Sequence, residues 1–168
     1  MWICQKKFID LKQQIESKDV MQTTIIDFKK DVGKSKEKIS LYLDIVQRVA
    51  QESYCERLNV GALIVKNGNI ISFGYNGTPS GMPNICEEND VTFEHVLHAE
   101  SNAITKACKS PISTEDSTIY CTHSCCIHCA KLIIQSGITT FVYLNDYRDD
   151  KGLKLLMAND VEVIKILK

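Results

Sequence analysis

The chain has 168 residues, of which 44% are apolar and 24% charged, and its formal net charge is -1. That length suits one domain with a short appendage, able to bury about two thirds of its unfolded surface. The balanced charge argues against a nucleic-acid partner bound by broad phosphate neutralisation, and no run approaches the roughly 20 apolar residues of a membrane span.

Residues 1–36 are predicted to be a helical or flexible extension, because Phe8, Leu11 and Ile15 recur at helical spacing among Lys, Gln and Asp. Charges at Lys6, Lys7 and Asp10 interrupt any apolar stretch of signal-peptide type, so a cytoplasm-like compartment is expected, the host's if the source is viral. The polar run 31–36 breaks the helical pattern, and a catalytic domain is predicted over 37–168. Its first element is a helix over 39–55, with Tyr42, Ile45, Val46 and Val49 on one side.

A β-hairpin follows, with strands at 60–65 and 70–75 joined through Asn67-Gly68, the dipeptide that tight hairpin turns favour. The stretch from Asn76 to Leu97 reads as a loop long enough to imply function. Beyond it the pattern predicts a helix at 98–109, a strand at 117–122, a helix at 126–136, a strand at 139–144, a helix at 149–158 and a strand at 161–167. An opening antiparallel hairpin followed by β-α alternation implies an α/β fold, a mixed five-stranded sheet with helices on both faces.

Eight cysteines are present, at 4, 55, 86, 108, 121, 125, 126 and 129. An even number invites a disulfide reading, but a reducing compartment disfavours it, and Cys126-Ile127-His128-Cys129 has the spacing of metal ligands. His98-Ala99-Glu100 and this C-x-x-C both fall where helices begin, so side chains from separate elements can converge there. One imidazole and two thiolates are one protein ligand fewer than a closed structural zinc site, which leaves a position for water. Zinc in that role lowers the pKa of water from about 15.7 to about 7. Helix N-termini favour thiolate at Cys126 and Cys129. Glu100, the carboxylate adjacent to a ligand, is then the proton carrier and not a ligand.

H-x-E together with C-x-x-C is the signature of zinc-dependent nucleobase deaminases. The chain resembles the deoxycytidylate deaminases through Val60-Gly61-Ala62, Gly74-Tyr75-Asn76-Gly77-Thr78-Pro79, His98-Ala99-Glu100-Ser101-Asn102-Ala103 and Cys126-Ile127-His128-Cys129-Ala130-Lys131. The resemblance spans residues 41–166. It implies a cytidine-deaminase-like three-layer α/β/α fold and hydrolysis of dCMP to dUMP, which feeds thymidylate synthesis. A homo-oligomer, with a hexamer favoured, is implied too, along with activation by dCTP, inhibition by dTTP and Mg2+ accompanying the effector. By position it puts Asn76 at the sugar, the Ala99 N–H at the base carbonyl, Tyr147 beside the ring and Arg57 at the phosphate. Residues 66–68 fall where regulated relatives approach the effector.

Two departures bear on the metal chemistry. Relatives usually carry Pro before the first ligand cysteine, whereas this chain has Cys125, so Cys125 with Cys129 is an alternative ligand pair to Cys126 with Cys129. A second, structural Zn2+ is suggested at Cys55, Cys86 and His95, near positions where some phage relatives hold one. Val96 stands there in place of a carboxylate, leaving water or Glu94 to complete the shell. His123 and His128 read as exposed or rim residues. Competing functions are deamination of dCTP or of another cytosine nucleoside or nucleotide, and a non-catalytic zinc-stabilised module that binds nucleotides. Glu100 separates the last from an enzyme, because a structural site needs no carboxylate beside it.

Overall fold

The central sheet runs β1 (Thr24–Asp27), β8 (Glu162–Leu167), β7 (Thr140–Asn145), β6 (Thr118–His123), β2 (Gly61–Lys66), β3 (Asn69–Tyr75) across the molecule. β1, β8, β7 and β6 pair in parallel, while β2 joins β6 and β3 antiparallel. The coordinates are a computed structural model, which describes residues 23–27 and 34–167. Among the described residues four helices pack on the sheet: α1 (Lys34–Ala50), α2 (Ala99–Ala107), α3 (Ile127–Gln135) and α4 (Lys151–Ala158).

Strand periodicity sorts the core into two halves. Ala62, Ile64, Ile119, Cys121, Phe141, Tyr143 and Val163 face α2, α3 and α4. Leu63, Val65, Tyr120, Val142 and Ile166 face the other way, onto Tyr42, Leu43 and Val46 of α1. A strand covered on both faces cannot alternate apolar with polar residues, so β2 is apolar throughout Ala62–Val65. The result is the expected α/β/α layering, with α1 the one helix on its side among the described residues.

The β2–β3 turn has Asn67 at φ 50° and Gly68 at φ 77°, the two left-handed residues that the twist of a tight hairpin requires. The Tyr42 hydroxyl donates to Gly68 O at 2.9 Å, tying this turn to α1.

The structure departs from the expected elements in a few places, and the helix expected over 39–55 is found at Lys34–Ala50, its end five residues early because 51–55 turn toward β2. The sheet has six strands and not five, because Thr24-Ile25-Ile26 adds a parallel edge to β8 inside the stretch expected to be helical. Three consecutive β-branched residues prefer a pleated, half-buried surface, and the β8 edge provides one. α1 begins at Lys34, so the polar run ends in helix. The helical period expected at Phe8, Leu11 and Ile15 lies outside the described residues. Finally, the loop before His98 contains a short hairpin, β4 (Glu87–Glu88) with β5 (Val91–Thr92), and its ends are closed by the Gly77–Leu97 bridge. The seven described cysteines are free thiols. Among the described residues no helix is long and apolar enough to cross a membrane.

Candidate active site

β3 ends in an irregular stretch that returns at Leu97, and His98 then caps α2 with extended backbone, φ -73° and ψ 155°. Cys126 caps α3 in the same manner, φ -76° and ψ 167°, just beyond the C-terminal end of β6. The His98 side chain makes no capping hydrogen bond to its own helix, and the Cys126 sulfur meets its helix only at Cys129. Both side chains are therefore free to meet in front of the two helix N-termini. Cys126 Sγ and Cys129 Sγ each lie 3.4 Å from His98 Nδ1.

These three ligand atoms lie within 4.8 Å of one another. In a tetrahedral zinc site with Zn–N of 2.0–2.1 Å and Zn–S of about 2.3 Å, neighbouring N and S atoms stand about 3.5 Å apart. The spacing and the donor set both fit that ion. A hydrogen bond from the Cys129 thiol, helped by His98, holds Cys126 down at about 3, while that bond and burial raise Cys129. The anionic Cys126 sulfur in turn raises His98 against the opposing effect of burial.

Cys125 is fully buried in the core beneath α2, α3 and α4 and is not part of the cluster. Burial and the nearby Glu100 raise its thiol. Its backbone packs so closely on Gly152 that a Cβ there would overlap the Cys125 carbonyl oxygen. The structure thus directs Cys126, and not Cys125, toward His98.

Glu100, on the first turn of α2, is 4% exposed yet reaches the cavity. Burial raises its carboxyl, opposed by a hydrogen bond from its own backbone N–H and by the charge of His98. A buried carboxyl group at the edge of the cluster, its hold on a proton strengthened, is suited to accept and return a proton within one cycle.

The cavity in front of this cluster measures about 630 Å³, the size of a site for a small organic ligand. Asn76, Tyr147 and Arg57 line it. The Asn76 amide donates to Leu58 O at 2.7 Å and accepts from Val60 N at 2.8 Å, which fixes its plane and leaves one donor and one acceptor unspent. Ala99 is buried between the lining residues His98 and Glu100, at the helical position whose N–H has no intrahelical partner. Tyr147 N donates to Ser124 Oγ at 2.8 Å, and the Arg148 guanidinium lies 5.2 Å from the Tyr147 ring centroid. His123 and His128 also line the cavity.

Arg148 and Lys151 in the cavity wall were missed from the sequence. They sit just past the C-terminal end of β7, where open α/β sheets place ligands, and that location was the available signal.

The second cluster forms with one changed member. Cys55, Cys86 and Glu87 bring their ligand atoms within 4.8 Å of one another, whereas His95 is not among them. His95 instead stacks on Phe93 with ring centroids 5.2 Å apart. Glu87 accepts the Glu56 N–H at 3.2 Å, which turns its carboxylate back toward Cys55. Burial, then the hydrogen bond with Cys86, pushes Cys55 up to about 12.

Residues 36–145 match the family model for the cytidine and deoxycytidylate deaminase zinc-binding region. The chain is 34% identical to the deoxycytidylate deaminase of Enterobacteria phage T4 over 175 residues, covering 78% of this chain and 91% of that protein. It is 40% identical over 104 residues to ComE operon protein 2 of Bacillus subtilis strain 168, covering 60% of this chain and only 55% of the relative's length. Among solved structures, the dCMP deaminase of cyanophage S-TIM5 in complex with dCMP and dUMP superposes with a TM-score of 0.75. It shares 42% identity, covering 80% of this chain and 99% of that one.

Proposed function

The chain belongs to the cytidine and deoxycytidylate deaminase family, and we propose on that premise that it hydrolyses dCMP to dUMP and ammonia. The observation that carries this reading is the buried Glu100 carboxyl beside the His98, Cys126 and Cys129 cluster, at the floor of a cavity of nucleotide size. The relative solved with dCMP and dUMP supports the choice of nucleotide.

In this reading His98, Cys126 and Cys129 would hold Zn2+, which would supply the Lewis acidity that makes water a usable nucleophile near neutral pH. Glu100 takes the proton of the attacking water and passes it to the ring nitrogen N3 as the C4–O bond forms. It then carries the second proton of that water to the departing amine, so that C4–N breaks and ammonia leaves. The carboxylate returns to its starting state and nothing is oxidised or reduced. The Ala99 N–H holds the base carbonyl, Asn76 the sugar, and Tyr147 the face of the ring. Arg57, Arg148 and Lys151 supply cationic donors for the phosphate.

Zinc-loaded protein should therefore turn over dCMP, read as loss of cytosine absorbance with one ammonia released per nucleotide. Parallel assays with dCTP and deoxycytidine define the preferred phosphorylation state, and turnover of deoxycytidine alone would displace dCMP as substrate.

A second Zn2+ at Cys55, Cys86 and Glu87 is part of the same proposal, supported by the buried pair of thiols with a carboxylate turned onto them. Metal analysis is expected to find two zinc ions per chain, falling to one in Cys86→Ser. One ion per wild-type chain would remove the second site. Assembly as a hexamer, activation by dCTP, inhibition by dTTP and an accompanying Mg2+ rest on the resemblance alone. A supply of dUMP for thymidylate synthesis rests on it as well.

A further inference from the structure

The short β4–β5 hairpin grips the segment that carries Arg57. Glu87 and Thr92 are directly opposite in its register, so their side chains share one face. That face meets two consecutive residues of the 56–57 segment: Glu87 accepts the Glu56 N–H at 3.2 Å, and Thr92 Oγ1 accepts from Arg57 Nη1 at 3.0 Å. The two arms of the hairpin are tied together at their base by Phe93 N donating to Cys86 O at 2.9 Å. Arg57 and Thr92 both line the substrate cavity. Among the described residues no carboxylate forms an ion pair with Arg57, and its hydrogen-bond acceptor there is a neutral hydroxyl.

We infer that Thr92 is a positioning residue for nucleotide binding, holding the Arg57 guanidinium toward the phosphate of the substrate. This rests on the reading of the cavity as a nucleotide site in which Arg57 meets the phosphate. An arginine side chain on an exposed rim carries many rotamers, and ordering them at the moment of binding costs affinity. A hydroxyl acceptor removes much of that cost beforehand. A carboxylate in the same place would neutralise the cation that the phosphate needs.

The test is a double-mutant cycle on the zinc-loaded full chain, with kcat and KM measured for dCMP in Thr92→Val, Thr92→Ser, Arg57→Gln and Thr92→Val/Arg57→Gln. Thr92→Val is expected to raise KM about three- to tenfold with kcat within about twofold, since one hydrogen bond to a charged group is lost. Thr92→Ser, which keeps the hydroxyl, should restore KM. In the Arg57→Gln background, Thr92→Val should change kcat/KM by less than about twofold, because the group it positions is gone. An unchanged KM in Thr92→Val, or the same loss with and without Arg57, overturns the positioning role while leaving the nucleotide site intact. If Arg57→Gln itself leaves kcat/KM for dCMP unchanged, it is the phosphate reading of Arg57 that fails.

Discussion

Glu100→Gln should lower kcat for dCMP by about 10²- to 10⁴-fold while zinc content and dUMP affinity stay near wild type. The side chain is 4% exposed and packed at the start of α2 against the His98, Cys126 and Cys129 cluster, so an isosteric amide preserves its volume. What the amide cannot do is accept a proton from water and return it to N3 and to the amine. The loss should therefore fall on kcat, with KM little changed, because the interaction is made in the transition state and not in the bound substrate. Ammonia release, atomic emission for zinc and calorimetry with dUMP separate the three quantities. Wild-type turnover by a Glu100→Gln protein that binds zinc and dUMP normally would reduce the site to a binding module.

The second large effect is expected far from any polar chemistry. Gly74 lies where β3 passes under α2, and a Cβ there would overlap Ala103 N and Ala99 O, both backbone atoms of the helix. Backbone cannot rotate away as a side chain can, so Gly74→Ala must push α2 off the sheet. Overpacking of this kind costs about 1–3 kcal/mol, which for a chain of this size lowers Tm by about 2–12 °C. The same displacement moves His98 and Glu100, which the start of α2 carries, and a misplacement of about 1 Å can cost about 10²-fold in rate. Gly77→Ala is the matched control, since a Cβ at Gly77 meets nothing within 4 Å. Thermal unfolding of the two variants should differ sharply. Equal Tm values would show that α2 can yield without strain.

These two expectations draw on different levels of the molecule. The proposed role of Glu100 as proton carrier is suggested by residue type and spacing, because H-x-E and C-x-x-C at two helix starts leave few other uses for a carboxylate. Gly74 is not. In the sequence it is one glycine of a strand-end motif, and only the approach of α2 over β3 shows what its missing side chain is for.

The same division runs through the fold. Helices and strands of the 37–168 region follow from hydrophobic period and turn residues, with boundaries displaced by a few residues at most places, because those signals are local. The sixth strand lay hidden in a polar N-terminal stretch, since Thr24-Ile25-Ile26 becomes a strand only when the β8 edge lies beside it. The second cluster shows the limit at the level of single side chains. Cys55 and Cys86 lie together in the structure, but whether His95 or Glu87 joins them depends on how the β4–β5 hairpin turns.

By itself the sequence determined the kind of protein this is: its α/β alternation, the imidazole and thiols that gather at two helix N-termini, and the carboxyl group beside them. Periodicity and motif spacing are written within a few turns of chain. Tertiary structure decided which of two adjacent thiols faces the imidazole, which residues grip Arg57, and that Arg148 and Lys151 join the cavity wall. Those outcomes depend on the relative direction of segments distant in the chain, a quantity that arises only when the sheet and its helices pack.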